Sequence, residues 1–223
     1  MIRDEAALLA QWRADLAVLV PDTSPAAVEA TARDLLASWS AAGRGYHGPA
    51  HLAEVLAALE ELELDTAQPG TDGALVARLA AWYHDAVYDP IRPQDNEIRS
   101  ANRAVDELTR LGVEPVTVAR VRGLVLATTA HDLPGAHATP ESRAFHDADL
   151  WILAAPAPRF DEYCSQVRAE YAHVSDADYA RGRSAVLSPL VDRPRLYATA
   201  HGLATWEAVA RENVARELAR LTG

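Results

Sequence analysis

The sequence contains no lysine and a single cysteine, and no apolar run approaches the length of a membrane span. Without lysine, every strong side-chain cation is a guanidinium, so any phosphate site would use the bidentate hydrogen bonds of arginine. Cys164 has no partner for an intrachain disulfide, which indicates a reducing cytoplasm, and as a lone thiol it is expected to be buried and inert. Asp4 and Glu5 interrupt the N-terminal apolar residues, so we expect neither a signal peptide nor a membrane partner.

Acidic residues outnumber basic ones, and the formal net charge is −11. A surface of this sign repels phosphate backbones, which argues against a general DNA or RNA binder. A small phosphorylated substrate stays compatible with it, because a bound cation inverts the local field. With 223 residues, 49% of them hydrophobic, the chain is long enough for a sizeable core and is not of disordered composition.

Strand-like alternation of β-branched residues is nearly absent, whereas alanine and leucine dominate and signals for helix starts recur. Ser24-Pro25 and Thr139-Pro140 each combine a capping residue with proline at the first helical position. The sequence therefore predicts an all-α helical bundle in a single domain, 1–223. Helices are expected near 4–20, 24–41, 49–64, 72–86, 95–111, 115–130, 140–154, 158–173, 176–191 and 204–221, with the main loops at 61–73, 89–95 and 131–139.

The segment RGYHGPAHLAEVL places His47 and His51 around the start of a helix, which Gly48 and Pro49 mark. Two histidines four residues apart are typical of zinc proteases with the motif H-E-x-x-H. Here Gly48 stands where that motif has its glutamate, and Pro49 prevents one continuous helix through both histidines. The alternatives left are two functional histidines or two ordinary histidines at a helix start.

The segment LAAWYHDAVYDP places His84 and Asp85 side by side among apolar and aromatic residues. A buried imidazole and carboxylate cost free energy unless they are paired. Adjacent side chains on a helix point about 100° apart, and one ion between them can be reached by both. A core histidine bonded to a backbone carbonyl is the alternative, but it does not explain the neighbouring acid. The pair suits a divalent transition metal.

Asp149 lies in FHDADLWILAA, where its apolar neighbours predict that it faces the interior. Asp147 in the same segment is interpreted as an acid near a helix N-terminus, favoured by the helix dipole. His131 ends the apolar segment VLATTAH, where the dipole at a helix C-terminus favours a histidine. The remaining histidines are expected at the surface or as caps: His137, His146, His173 and His201.

Taken in order, these residues form the pattern H…HD…D, which resembles the HD superfamily of metal-dependent phosphohydrolases. YHGPAHLAEVL, AAWYHDAVYD, NEIRSA, ATTAHD and DADLWIL are similar to successive motifs of one bacterial subgroup of predicted phosphohydrolases, and RAEYAHV and ARENVARELARL fit its C-terminal region. The resemblance covers roughly 40–221. It implies an HD-type fold, with a metal-site core at approximately 40–155 and C-terminal helices in 156–223.

The resemblance implies one divalent transition metal, Mn, Fe, Co, Ni or Zn, held by His51, His84, Asp85 and Asp149. His131 is the one histidine placed for a second metal. The implied activity is hydrolysis of a phosphate ester or anhydride in a small, nucleotide-like substrate. Asp89 and Glu97 are candidates for the general acid or base. Candidates for contact with the substrate are His47, His131, Arg44, Arg168 and Arg183.

Two other functions are compatible with the sequence. Some HD-fold proteins use two irons to activate oxygen, but such a di-iron oxygenase needs more histidine ligands than this sequence offers. In a non-catalytic ligand sensor, the metal would only staple helices together. The intact set of ligand types favours the hydrolase.

Overall fold

Segments rich in alanine and leucine, separated by proline and short polar residues, fold into helices along most of the chain. The structure, a computed structural model, describes residues 4–66, 72–135 and 138–222. Within these ranges it contains helices and turns but no β-strand, so the predicted all-α helical bundle is confirmed. None of the described helices is both long and apolar enough to cross a membrane.

Ten α-helices occur in the described residues, close to the predicted positions. They are α1 (Glu5–Leu19), α2 (Pro25–Trp39), α3 (Pro49–Thr66), α4 (Gly73–Tyr83), α5 (Asn96–Leu111), α6 (Pro115–Ala127), α7 (Pro140–Asp149), α8 (Ala157–Glu170), α9 (Asp176–Asp192) and α10 (Glu207–Thr222). Shorter helical turns cover Pro93–Asp95, Leu150–Ala154 and Gly202–Trp206. Of the predicted loops, residues 67–71 and 136–137 lie outside the described ranges.

The centre of the bundle is formed by α3, α4 and α7, which pack against one another in all three pairwise combinations. Helix α6 covers α4 and α5, while α10 packs on α9 and on the 150–154 turn. The apolar faces of the central helices therefore bury each other, and the polar residues at their ends are gathered at one place.

Three tryptophans, Trp12, Trp39 and Trp82, are fully buried between the N-terminal helices and α4. The rings of Trp12 and Trp82 meet edge-on with centroids 5.1 Å apart, a geometry worth about 0.5–1.5 kcal/mol beyond area burial. Trp39 Nε1 donates a hydrogen bond of 2.9 Å to the carbonyl of Trp82. This bond ties α2 to the last turn of α4, directly before His84 and Asp85.

Proline marks helix starts as predicted, since Pro25 and Pro140 are the first residues of α2 and α7. The hydroxyl of Thr139 accepts from Ser142 N at 3.3 Å, which confirms this cap. Ser24 is the N-cap residue of α2, as predicted, although its side chain makes no capping hydrogen bond.

Helices α4, α6 and α8 stop three residues before their predicted ends, at Tyr83, Ala127 and Glu170. The carbonyl groups at these ends accept hydrogen bonds from side chains, which compete with continued helix. The donors are Arg44 beyond α4, Thr128 and Thr129 at the end of α6, and Arg168 beyond α8.

Asp147 corrects the sequence interpretation, because it lies in the last turn of α7 and is fully buried rather than near a helix N-terminus. Its Oδ1 accepts from Ala198 N at 2.7 Å, and its Oδ2 accepts from the backbone and hydroxyl of Thr199 at 2.8 and 2.7 Å. Gly202 packs over this carboxylate, where an added Cβ would lie 2.7 Å from Oδ2. The carboxylate thus fixes the start of the C-terminal helical region on α7.

His146 also differs from expectation, since its side chain is only 7% exposed and its Nδ1 lies 2.9 Å from Asp147 Oδ1. Of the other histidines expected at the surface, His173 is exposed and His201 pairs with Glu61 at 2.6 Å, while His137 lies outside the described residues.

Replacing Asp147 by Ala should lower the free energy of unfolding by about 2–4 kcal/mol, because it leaves buried backbone N–H groups without an acceptor. Urea unfolding followed by circular dichroism measures this. Asp161→Ala is the control, since Asp161 forms exposed ion pairs with Arg216 and Arg220 and should matter far less. Equal losses in the two variants would contradict the role assigned to Asp147.

Candidate metal centre

The residues of the H…HD…D pattern come from the ends of the three central helices. His51 lies in the first turn of α3, His84 and Asp85 directly follow α4, and Asp149 is the last residue of α7. His51 and His84 are each 2% exposed, and Asp149 is 7% exposed, which confirms its predicted inward orientation. Only the Asp85 side chain keeps some contact with solvent, at 18%.

Their ligand atoms lie in one small volume. The Nε2 atoms of His51 and His84 are 3.1 Å apart. Asp149 Oδ1 lies 3.4 Å from His51 Nε2 and 3.3 Å from His84 Nε2. Asp85 Oδ2 lies 3.8 and 3.3 Å from the same two nitrogens. The structure therefore brings together all four residues that the resemblance assigned to a metal.

These spacings match the coordination sphere of a transition metal. Ligands about 2.1 Å from a central ion stand ~3.4 Å apart in a tetrahedron and ~3.0 Å apart as octahedral neighbours. The five distances of 3.1 to 3.8 Å that involve the two imidazoles lie in or near this range. His51, His84 and Asp85 form a group that could hold a metal ion, and Asp149 Oδ1 is placed to complete it.

A hydrogen bond to the backbone orients the His84 imidazole so that its Nε2 atom points toward the centre of the site. His84 Nδ1 donates to the carbonyl of Ala81 at 2.9 Å, which leaves Nε2 as the ligand atom. Two Nε2 lone pairs at 3.1 Å repel each other unless a proton or a cation lies between them. His51 Nδ1 and Asp149 Oδ2 are also buried and have no hydrogen-bond partner among the described residues. A shared cation would therefore satisfy these four side chains better than hydrogen bonds among themselves do.

Proton equilibria in the site favour a positive charge at its centre. Burial lowers the pKa of His51. Burial acts on His84 in the same direction, but Asp85 and Asp149 override it and raise the pKa of His84 well above its usual value. For those two carboxyls, burial acts to raise the pKa, but the adjacent His84 imidazolium lowers both values below the usual range. A proton on His84 thus supplies the positive charge beside the two carboxylates that a bound metal ion would supply in its place.

A cavity of about 500 Å³ opens onto this centre. The four ligand residues form one part of its wall, and Tyr46, His47, Tyr163 and Tyr171 form another. Arg183 and Arg193 are the arginines in the lining. A volume of this size takes a small organic molecule and gives it access to the candidate metal.

Glu170 is a site residue that the sequence did not reveal. Its carboxylate, which is fully buried, accepts from the backbone N–H groups of Gly45, Tyr46 and His47 at 2.8 to 2.9 Å. It also accepts from His47 Nδ1 at 2.7 Å and from Tyr88 OH at 2.8 Å. Glu170 therefore holds the segment before α3 in place and fixes the ring of His47, which lines the cavity. The only signal in the sequence was a single acid in the segment RAEYAHV.

Glu97 and His131, both predicted to act in the site, line the cavity. Glu97 is partly buried, and within the described chain it has no hydrogen bond or ion pair. His131 adopts a left-handed backbone conformation with φ 46°, and its Nδ1 lies 3.6 Å from Asp149 Oδ2. His131 therefore lies beside the four candidate ligands, next to Asp149 Oδ2, which has no hydrogen-bond partner among the described residues.

The structure does not bring Asp89, Arg44 or Arg168 to the cavity wall. Asp89 Oδ1 accepts from the backbone N–H groups of residues 91 and 92, so its carboxylate caps a turn. Arg44 donates to the carbonyls of His47, Asp85 and Ala86, and Arg168 donates to those of Tyr171 and Val174. These guanidinium groups brace the loops around the site. Cys164 is buried as expected, and burial raises the pKa of its thiol to about 12.

Binding of a divalent ion should expel a proton from His84, because, against the effect of burial, Asp85 and Asp149 raise the pKa of this imidazole and so favour its protonated form. Calorimetric titration with Co²⁺ at pH 7, repeated in buffers of different ionisation enthalpy, should show about one proton released per ion. Below the pKa of His84, affinity should rise about tenfold per pH unit. His201→Gln, which removes a histidine outside the site, should leave the release unchanged. A binding enthalpy independent of the buffer would contradict this account.

Comparison with known proteins adds no assignment: no family model, curated protein or solved structure matches the chain. The likeness to the HD superfamily therefore stays a prediction from the motifs. The structure itself establishes an all-α bundle in which His51, His84 and Asp85 could hold a metal ion.

Proposed function

We propose that the protein is a metal-dependent phosphohydrolase that cleaves a phosphate ester or anhydride in a small, nucleotide-like substrate. One observation carries the proposal. The imidazoles of His51 and His84 and the carboxylates of Asp85 and Asp149 converge, at ligand spacing, on the wall of a cavity of about 500 Å³. A structural metal that only stapled helices would not require such a cavity.

The donor set favours one divalent transition metal. Two imidazole nitrogens and two carboxylate oxygens suit Mn, Fe, Co, Ni or Zn, and the two negative charges match a doubly charged ion. When bound, such an ion supplies Lewis acidity toward a phosphoryl oxygen and toward water. Of the other histidines that line the cavity, His47 is bonded to Glu170 through Nδ1 and His131 lies beside Asp149, which supports one metal and leaves few ligands for a di-iron oxygenase.

Two residues of the cavity wall suit the proton transfers of hydrolysis. As the oxygen of water bonds to phosphorus, Glu97 accepts the proton of that water. As the bond from phosphorus to the leaving oxygen breaks, His47 donates a proton to that oxygen. Glu170 binds His47 Nδ1, so Nε2 is the nitrogen available to the substrate, and stacking on Tyr88 at 4.2 Å fixes the ring plane.

Asp85→Ala should abolish phosphate release and most metal-induced stabilisation while the fold survives. In the wild type, Mn²⁺, Co²⁺ or Ni²⁺ at a hundred times its Kd should stabilise the protein by about 2.7 kcal/mol, visible as a rise in Tm. Thermal melts with and without metal measure this, beside a phosphate-release assay on mono-, di-, tri- and cyclic nucleotides. Asp106→Ala, which removes an exposed acid on α5, is the matched control.

Three results would contradict the proposal or its parts. Equal metal-induced stabilisation in wild type and Asp85→Ala would show that Asp85 is not a ligand. Two irons per chain with oxygen consumption would favour the oxygenase. Metal binding without turnover of any phosphate substrate would favour the sensor.

Glu170→Gln should reduce kcat about 10–100-fold, because His47 loses the carboxylate that orients it. The metal-induced rise in Tm should persist, since Glu170 contacts none of the four ligands. In a His47→Ala background, Glu170→Gln should cause no further loss of kcat. Glu54→Gln is the control for removing a mostly buried carboxylate, because Glu54 pairs with Arg159 away from the cavity wall. Additive losses of kcat in the double variant would show that Glu170 does not act through His47.

A further inference from the structure

Two arginines line the cavity at the candidate metal centre, and they differ in what neutralises them. Arg193 Nη1 donates to the carbonyl of His131, and its Nη2 lies 3.7 Å from Asp132. Arg183 has no carboxylate within 4.0 Å among the described residues, although acids outnumber bases by 32 to 21 in the chain. An arginine without an acidic partner is therefore a distinctive feature of this cavity.

The surroundings of Arg183 leave most of its donors free. The side chain projects from α9 and is partly buried. Its Nη2 donates to the hydroxyl of Tyr163, and its guanidinium carbon lies 4.9 Å from the centroid of that ring. Its Nε is buried and has no hydrogen-bond partner in the described part of the chain. A guanidinium has five N–H donors and stays charged, so an oxyanion is the group that would satisfy it.

Tyr163 aligns this guanidinium without neutralising it. A phenol hydroxyl accepts one hydrogen bond but carries no charge at neutral pH. The hydrogen bond and the cation–π contact with Tyr163 hold the guanidinium in place, which lowers the entropy lost when an oxyanion binds. The remaining wall of the cavity supplies apolar and aromatic surface such as Leu187 and Tyr171, which suits the uncharged part of a substrate.

We propose that Arg183 binds a second anionic group of the substrate, so that the protein prefers phosphate compounds with two anionic groups over monophosphates. The reacting phosphoryl group lies at His51, His84, Asp85 and Asp149, and the second oxyanion lies on Arg183. This inference rests on the proposed function, because it assigns the reacting phosphate to the metal centre. The second anion is either the neighbouring phosphate of a diphosphate or a phosphate elsewhere in the molecule.

The test compares the metal-loaded wild type with Arg183→Met. A nucleoside 5′-monophosphate, the 5′-diphosphate and the 3′,5′-bisphosphate of the same nucleoside serve as substrates. Arg183→Met should lower kcat/KM for one of the doubly phosphorylated compounds about 10–100-fold, the loss typical of a charge-assisted hydrogen bond. It should change kcat/KM for the monophosphate by less than about threefold. The compound affected identifies the position of the second anion.

Arg181→Met is the matched control, because Arg181 lies two residues earlier on α9, is exposed and pairs with Asp178. Arg183→Lys keeps the charge without the forked donors and should fall between wild type and Arg183→Met, which covers the case that the methionine variant folds poorly. Calorimetric binding of inorganic pyrophosphate and inorganic phosphate to the metal-loaded proteins gives a readout without turnover. Arg183→Met should weaken pyrophosphate binding if the second anion is a neighbouring phosphate.

Two outcomes would overturn the inference. The first is an unchanged ratio of kcat/KM between the doubly phosphorylated compounds and the monophosphate in Arg183→Met. The second is an equal loss in Arg181→Met. If the wild type hydrolyses none of the three compounds, the proposed function fails, whereas weaker pyrophosphate binding in Arg183→Met would still identify Arg183 as an anion site.

Discussion

Two carboxylates and two imidazoles share a small volume inside the bundle, and this arrangement depends on a positive charge at its centre. Carboxylates buried together repel each other, and imidazole nitrogens 3.1 Å apart cannot both keep their lone pairs directed at one another. Against the effect of burial, Asp85 and Asp149 raise the pKa of His84, so a proton on this ring offsets part of the repulsion, and a divalent ion would offset more of it. Because the four residues come from three helices, a bound cation would also link α3, α4 and α7.

Around this centre, charged side chains hold the loops that complete the cavity. Glu170 collects three backbone N–H groups before α3 and orients His47, while Arg44 binds the carbonyls just after α4. Each is a buried or partly buried charge whose hydrogen bonds are satisfied mainly by backbone, a pattern that rigidifies irregular chain. Asp147 does the same two residues before Asp149, where it fastens residues 198 and 199 to α7. These acids and arginines therefore hold the irregular segments around the candidate metal centre in place.

Local signals in the sequence predicted the helices, whereas the set of four converging residues came from the likeness of the motifs to the HD superfamily. Proline and capping residues mark the helix starts. His84, Asp85 and Asp149 are polar residues in apolar segments, and burying them costs free energy unless they are paired. Glu170 left no such signal, since its main partner His47 lies 123 residues away in the chain. Arg44 and Arg168 were expected to bind the phosphate of a substrate, but they donate to backbone carbonyls. Because every residue has a backbone carbonyl, the sequence does not show which one an arginine binds. Asp147 was interpreted as an acid near a helix N-terminus, but it lies in the last turn of α7, and its partners Ala198 and Thr199 are too distant in the chain to leave a local signal.

The central claim is that His51, His84, Asp85 and Asp149 bind one divalent ion. X-ray absorption spectroscopy of the protein loaded with one equivalent of Co²⁺ or Ni²⁺ tests it most directly, because the method reports the ligands of the ion itself. We expect a first shell of nitrogen and oxygen at about 2.0–2.2 Å with the outer-shell scattering of two imidazoles, and loss of one imidazole in His51→Ala. A first shell of oxygen alone, or a spectrum unchanged by His51→Ala, would contradict the claim.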